Sequence, residues 1–187
     1  MTSTVQIKMP LTLSSDVLIN AGIPVNKCYQ CGKCSAGCPV AGDMDYPPSL
    51  VLRMLQTEDP KEDDKLLRSL SIWLCVSCEM CLSRCPMEID IPVLMDYLRN
   101  RSLAEKKQDK KAKNIISFHK AFLDSVNTTG RLYEIGLIAD YKMRSGALTQ
   151  DIGVAPKMFM KGKLNPIPEL IKGRKTISKI FRKTFNK

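Results

Sequence analysis

The sequence predicts an all-α protein, and three observations support this class. Apolar residues recur at helical spacing along most of the chain. The segment between the two cysteine-rich stretches has no run of alternating apolar and polar residues, which a half-buried strand would show. Each cysteine-rich stretch ends in Pro, at Pro39 and Pro86, so each closes a loop and starts a new segment. We therefore expect a chain made almost wholly of helices and loops.

The N-terminal part is predicted from its end residues. Residues 1–13 show no clear period and are expected to form an extended arm. Ser14, Ser15 and Asp16 are N-cap residues for a short helix, and Gly22 stops that helix before the first cysteine motif. A domain over residues 14–125 is expected to follow the arm, and residues 126–187 are expected to be a basic helical extension that docks on a partner.

Two helices are predicted in the spacer between the cysteine motifs. The first starts at Pro47 or Pro48, because Pro fits the first helical turn. The second starts near Glu62, after a break at residues 58–60. Their apolar positions are Leu50, Met54 and Leu55 in the first, and Leu66, Leu67, Leu70 and Trp73 in the second.

Further helices are predicted after the second motif. Asp90 is a suitable N-cap and Pro92 an early-turn residue for a helix that reaches at least Leu98. Residues 115–126 and 132–143 have helical periodicity. In the tail, four apolar residues repeat at helical spacing among lysines: Ile177, Ile180, Phe181 and Phe185.

Composition and charge restrict the class of protein. Of 187 residues, 44% are hydrophobic and 26% are charged, as in a globular chain. No apolar stretch approaches the roughly 20 residues of a membrane span, and the N-terminus lacks the features of a signal peptide. The chain is therefore expected to be cytoplasmic. The net charge of +10 comes from residues 142–187, which hold 12 Lys and Arg against Asp151 and Glu169.

Eight cysteines form two copies of the pattern C-x2-C-x2-C-x3-C-P. They are Cys28, Cys31, Cys34 and Cys38, and Cys75, Cys78, Cys81 and Cys85. Disulfides are not expected in a reducing compartment. Zinc sites use paired C-x2-C elements, so two zinc ions are an alternative, but three cysteines followed by C-P are typical of cubane iron–sulfur sites. The sequence therefore predicts two [4Fe–4S] clusters.

The fourth cysteine of each motif is expected to ligate the other motif's cluster, as in two-cluster ferredoxins. The first cluster then takes Cys28, Cys31, Cys34 and Cys85, and the second takes Cys75, Cys78, Cys81 and Cys38. No dinucleotide fingerprint, Walker loop or further cysteine is present, so no catalytic residue or substrate site is predicted. The chain is expected to transfer electrons as a non-catalytic subunit of an oxidoreductase.

The residues around the cysteines resemble a known family. Residues 26–39, NKCYQCGKCSAGCP, and residues 73–86, WLCVSCEMCLSRCP, resemble the two motifs of the stand-alone iron–sulfur C subunit of the methanogen CoB–CoM heterodisulfide reductase. The helical spacer, the helix start at Asp90 and the chain length are also similar. The resemblance covers about residues 14–130. It implies an α-helical ferredoxin-like domain with two [4Fe–4S] clusters and a helical C-terminal extension.

The resemblance also implies partners. In that family a flavin- and iron–sulfur-containing A subunit passes electrons through the C subunit to the B subunit, which reduces the CoM–CoB heterodisulfide in methanogenesis. The A flavin bifurcates electrons from a hydrogenase or a formate dehydrogenase, with ferredoxin as second acceptor. Two alternatives remain: an iron–sulfur subunit of a related heterodisulfide-reductase-like, glycolate oxidase-like or succinate/fumarate-type enzyme, and a nucleic-acid-binding protein with a basic tail. Charge runs alone are weak evidence, so no nucleic-acid partner is predicted.

Overall fold

The computed structural model describes residues 12–150, 153–162 and 167–185. In these residues the chain forms helices and 3₁₀ turns and has no strand, which confirms the predicted all-α class. None of the helices in the described ranges is long and apolar enough to cross a membrane. The chain divides into two compact units, Met1–Lys111 and Ala112–Lys187.

The first unit contains both cysteine motifs and seven of the described helices. They are α1 (Leu13–Ala21), α2 (Lys33–Ala36), α3 (Pro48–Thr57), α4 (Pro60–Leu67), α5 (Ser71–Leu74), α6 (Met80–Ser83) and α7 (Ile91–Ala104). Short 3₁₀ turns lie at Val25–Lys27, Ala41–Asp43 and Lys110–Ala112, the last at the boundary between the units.

Helix α1 begins slightly earlier than predicted. The N-cap is Thr12, whose side chain accepts a hydrogen bond from the Ser15 backbone N–H, whereas Ser14 lies inside the helix. Gly22 ends the helix in the left-handed conformation, at φ 70°, as predicted. The expected arm over residues 1–13 falls mostly outside the described residues.

The second predicted spacer helix is divided into α4 and α5. In a continuous helix the N–H groups of Leu70 and Ser71 would donate to carbonyls one turn earlier. Instead the Asp45 carboxylate accepts both N–H groups, and the Leu67 carbonyl accepts the buried Ser102 hydroxyl at 2.7 Å. Tertiary hydrogen bonds therefore replace those of the helix at this point.

Helix α7 organises the core of the first unit. It starts as predicted, with Asp90 capping the Val93 N–H and Pro92 in the first turn, and it contacts α1, α4, α5 and α6. Leu94, Met95 and Leu98 on its inner face are fully buried. Further fully buried side chains of this unit complete the core: Val17, Val25, Val51, Leu52, Leu55, Leu66, Ile72, Ile89 and Ile91.

The second unit is also helical. Its described helices are α8 (Lys113–Thr129), α9 (Glu134–Ser145), α10 (Ala155–Met160) and α11 (Arg174–Phe185). Helix α8 contacts both α9 and α11, and the Phe118 and Tyr141 rings meet edge to face with centroids 6.2 Å apart. Helix α8 runs across the expected domain boundary at residues 125/126, and that division of the chain stays a prediction.

Candidate metal centre

The two cysteine motifs form loops with the same backbone conformation. In the first, Gln30 and Gly32 have left-handed φ angles of 61° and 76°; in the second, Ser77 and Glu79 have φ angles of 50° and 61°. These residues hold equivalent positions, counted from Cys28 and Cys75. Alternating left- and right-handed residues form concave backbone nests that bind anions, including iron–sulfur sites. Three of these four residues are not glycine, and each costs about 1–2 kcal/mol of conformational energy in the left-handed region.

The turns that end the two motifs are also equivalent. The Cys38 N–H donates to Ser35 O and the Cys85 N–H donates to Leu82 O, at 3.2 and 3.0 Å. The helix inside each motif, α2 or α6, packs on the helix that follows it, α3 or α7, and α2 also contacts α6. The site is therefore an internal repeat whose halves meet at α2 and α6.

Burial of the thiols follows the same repeat. Cys31 and Cys78 are exposed, Cys34 and Cys81 are buried, and the remaining four are intermediate; all eight are free thiols. Burial raises the pKa of Cys81 to about 11 and also raises the pKa of Cys34. Both thiols are thus protonated at neutral pH in the metal-free chain, so metal ligation must displace their protons.

Thiols from both motifs line one apolar cavity. Cys38 of the first motif and Cys75, Cys78 and Cys81 of the second line this small cavity together. The other walls come from apolar residues, among them Val40, Met44, Pro48, Ile91 and Met95. Soft thiolates in an apolar cavity are a donor set that suits iron–sulfur clusters. These residues therefore fit such a group.

The other four cysteines are grouped in part. The pKa of the Tyr29 hydroxyl is raised, first by local desolvation and then by the neighbouring thiols of Cys31, Cys85 and Cys28. Cys85 of the second motif thus acts electrostatically on a residue of the first loop, Cys28 acts on Cys34, and Cys34 acts on Cys81 of the second motif. Within the described ranges, no three Cys, His, Asp or Glu side chains converge closely enough to hold a single metal ion.

Gln56, on the last turn of α3, holds the first loop. Its side-chain nitrogen donates to the carbonyl oxygens of Val25 and Cys28, at 3.0 and 2.7 Å. Its side-chain oxygen accepts from the Gln30 side chain at 3.0 Å, and the Gln30 backbone N–H lies 3.4 Å from the Cys28 sulfur. This side chain fixes the conformation of the loop at its first ligand.

Arg99, on α7, does the same for the second loop. Its guanidinium donates to the carbonyl oxygens of Ile72 and Cys75, which are the equivalents of Val25 and Cys28. It also pairs with Asp96 at 2.7 Å. Gln56 and Arg99 were not predicted from the sequence, because neither lies in a motif and each reaches its loop only through the packing of a helix.

Trp73 lies just before the second motif and is buried at 5% exposure. Its indole N–H has no hydrogen-bond partner in the part of the chain that the structure describes. The side chain precedes Cys75 by two residues, in the short helix α5 that contacts α7. It belongs to the core that supports the second loop.

Comparison with known proteins supports the chemistry of the site. Residues 24–89 match the model of the 4Fe-4S dicluster domain. Over 85 residues the chain is 35% identical to the iron-sulfur C subunit of the CoB–CoM heterodisulfide reductase of Methanopyrus kandleri, covering 46% of this chain and 42% of that protein. The domain match and the thiol arrangement support [4Fe–4S] clusters and an iron–sulfur electron-transfer role.

Two further relatives are similar over the same extent. The chain is 33% identical to the C 2 iron-sulfur subunit of the Methanocaldococcus jannaschii enzyme, over 48% of this chain and 44% of the relative. It is 32% identical to the C2 subunit of the H(2)/formate:CoB-CoM heterodisulfide,ferredoxin reductase of Methanococcus maripaludis. This match covers 44% of this chain and 48% of the relative. The matched region spans less than half the length of these relatives. The resemblance that the motifs predicted is confirmed over this region.

Proposed function

We propose that this chain is the electron-relay subunit of a heterodisulfide reductase complex and carries two [4Fe–4S] clusters. The observation that carries the proposal is the cavity in which Cys38 lies with Cys75, Cys78 and Cys81. It provides four thiols, drawn from both motifs, around one apolar space. The names of the similar proteins, which are C subunits of heterodisulfide reductases, supply the class of complex.

In the proposed ligand sets the last cysteine of each motif ligates the cluster of the other motif. Cys28, Cys31, Cys34 and Cys85 hold the first cluster, and Cys75, Cys78, Cys81 and Cys38 hold the second. The placement of Cys38 in the second-loop cavity supports this exchange, and the effect of the Cys85 thiol on the pKa of Tyr29 agrees with it. Both clusters then join the two halves of the first unit, so loss of either would loosen the packing of α2 on α6.

Each cluster, when bound, would supply a one-electron carrier that exchanges electrons without making or breaking bonds. The chain's own residues then have three tasks. Gln56 and Arg99 fix the loops, so little reorganisation accompanies a change of charge. Met44, Ile91 and Met95 keep water from the second cluster. Exposed Cys31 and Cys78 mark the places where the cover of protein is thinnest and electrons can enter or leave.

The proposed donor is a flavin-containing A subunit, and the proposed acceptor is a B subunit that reduces the CoM–CoB heterodisulfide. One relative's name includes hydrogen and formate as reductants, and ferredoxin as a second substrate. A hydrogenase or formate dehydrogenase is accordingly the proposed upstream source of electrons. A second candidate is the iron–sulfur subunit of a related oxidoreductase, because the match leaves more than half of this chain uncovered.

Anoxic purification of the native complex tests the proposal. The chain should copurify with a flavoprotein and a disulfide-reducing protein, and EPR of the reduced chain should show two interacting cubane signals. Copurification with proteins of another oxidoreductase would support the second candidate instead. A chain that binds zinc and no iron, even after reconstitution with iron and sulfide, would exclude both.

A further inference from the structure

Gln56 and Arg99 hold equivalent places in the repeat but differ in charge. Each donates to the carbonyl of the first cysteine of its loop and to the carbonyl three residues earlier. Gln56 is neutral, whereas Arg99 carries a positive charge that is always present. The two loops are thus held by equivalent hydrogen bonds, but only the second loop has a formal positive charge on the side chain that holds it.

The Arg99 charge is held away from water. Its side chain is 15% exposed, whereas its ion-pair partner Asp96 is 58% exposed. A buried charge acts on its neighbours through a lower effective dielectric, and the same separation gives an interaction about fourfold stronger at a dielectric of 20 than at 80. Asp96 is well solvated, so it offsets only part of the field that Arg99 exerts toward the loop.

Other charges beside the loops are exposed. They include Lys27, Lys33, Arg53 and Glu58 beside the first loop, and Asp45, Glu79 and Glu88 beside the second, while the Arg84 side chain of the second motif reaches Gly37 of the first. Lys33 would favour reduction at the first loop and Glu79 would oppose it at the second, but water and salt screen both. Arg99 is the charge beside the loops that screening weakens least.

We propose that Arg99 raises the reduction potential of the second-loop cluster above that of the first-loop cluster, so that the first electron rests on the second. This inference rests on the proposed function. One electron from a one-electron reductant converts [4Fe–4S]²⁺ to [4Fe–4S]⁺, with no bond changed and no proton moved. The added negative charge is favoured by a nearby guanidinium. Arg99 is a positioning residue, since it touches the Cys75 backbone.

An EPR-monitored redox titration of the full-length, cluster-loaded chain tests this assignment. Arg99→Gln gives the second loop the same side chain that Gln56 provides at the first. The potential of the second-loop cluster should therefore fall toward that of the first-loop cluster, and the potential of the first-loop cluster should stay unchanged. Arg99→Lys keeps the charge and should restore most of the difference. Gln56→Arg should raise the lower potential and leave the higher one in place.

Asp96→Asn gives a variant that leaves the loop bonds intact. Removing this exposed anion should raise the higher potential only, and the rise should shrink at high ionic strength. The inference is overturned if the Arg99→Gln variant, loaded with both clusters, has unchanged potentials. It is also overturned if only the lower of the two potentials falls. If Arg99→Gln loses a cluster, unchanged potentials in Gln56→Arg and Asp96→Asn overturn it. A wild-type chain without iron would instead refute the proposed function.

Discussion

The Asp45 carboxylate accepts hydrogen bonds from both the backbone N–H and the hydroxyl of Ser71. It also accepts the N–H groups of Leu70 and Tyr46. Asp45 follows the first cysteine motif, and Ser71 begins the helix that leads into the second. One carboxylate thus connects the exit of one loop to the entry of the next and satisfies N–H groups at the start of α5.

Removing this carboxylate should destabilise the site. Asp45→Ala leaves the N–H groups at the start of α5 without their acceptor, and we expect a loss of about 1–2 kcal/mol, as for other caps. The measurement is the urea midpoint of the cluster-loaded chain under anoxia. Asp43→Ala, which changes an exposed aspartate in the neighbouring 3₁₀ turn, should leave the midpoint within error. Equal losses in both variants would contradict the assigned role.

The pH dependence of that loss follows from the ionisation of Asp45. Burial alone would raise its pKa, but hydrogen bonds from Ser71, Leu70 and Tyr46 outweigh burial and lower the pKa. A lowered pKa contributes stability above the unfolded value of about 3.9, and that stability is lost as pH falls through the folded pKa. The penalty of Asp45→Ala should therefore be the same at about pH 8 and about pH 5. A penalty that halves across this interval would show that Asp45 titrates there.

Exchange of the fourth cysteines is tested by four single variants. If Cys38 ligates the second cluster, Cys38→Ser should lose about half of the iron and give the same residual EPR signal as Cys78→Ser. Cys85→Ser should match Cys31→Ser. Each pair thus provides its own control. A Cys38→Ser spectrum that matches Cys31→Ser would mean that each motif holds its own cluster.

Gln56→Glu should weaken the first loop without changing side-chain size. The substitution replaces the amide donor with a carboxylate that repels the carbonyl oxygens of Val25 and Cys28. Two unpaired acceptors cost about 2 kcal/mol or more, so a chelator should remove iron from this cluster at least about tenfold faster. Glu58→Gln, at an exposed position two residues later, is the matched control and should release iron at the wild-type rate.

Tyr97→Phe should loosen the packing of α1 on α7. The Tyr97 hydroxyl donates at 2.6 Å to Asp16, which is 8% exposed and also contacts Asn20 and Arg101. A hydrogen bond to a buried charged group contributes about 1.5–3 kcal/mol, and the urea midpoint should fall accordingly. The control is Tyr46→Phe, because within the described part of the chain the Tyr46 hydroxyl interacts only electrostatically, with the exposed Lys65. If the urea midpoint of Tyr46→Phe falls as far as that of Tyr97→Phe, the hydrogen bond to Asp16 does not explain the effect.

Local patterns predicted the long helices well. The start of α3 at Pro48 and of α7 after Asp90 follow from Pro and N-cap chemistry, which acts within one turn. Local patterns did not predict the places where distant groups compete for the backbone hydrogen bonds. The helix expected through Trp73 is divided because Asp45 and Ser102 take its hydrogen bonds, and neither residue is near it in sequence.

The sequence by itself determined the chemistry of the site, since eight thiols at a repeated spacing specify a soft donor set whatever the packing. It also determined the helical class, because helical periodicity is a local property. Only the tertiary structure decided which side chains hold the loops. Gln56 and Arg99 reach Cys28 and Cys75 through the packing of α3 and α7. Hydrogen bonds across such separations leave no periodic trace in a sequence.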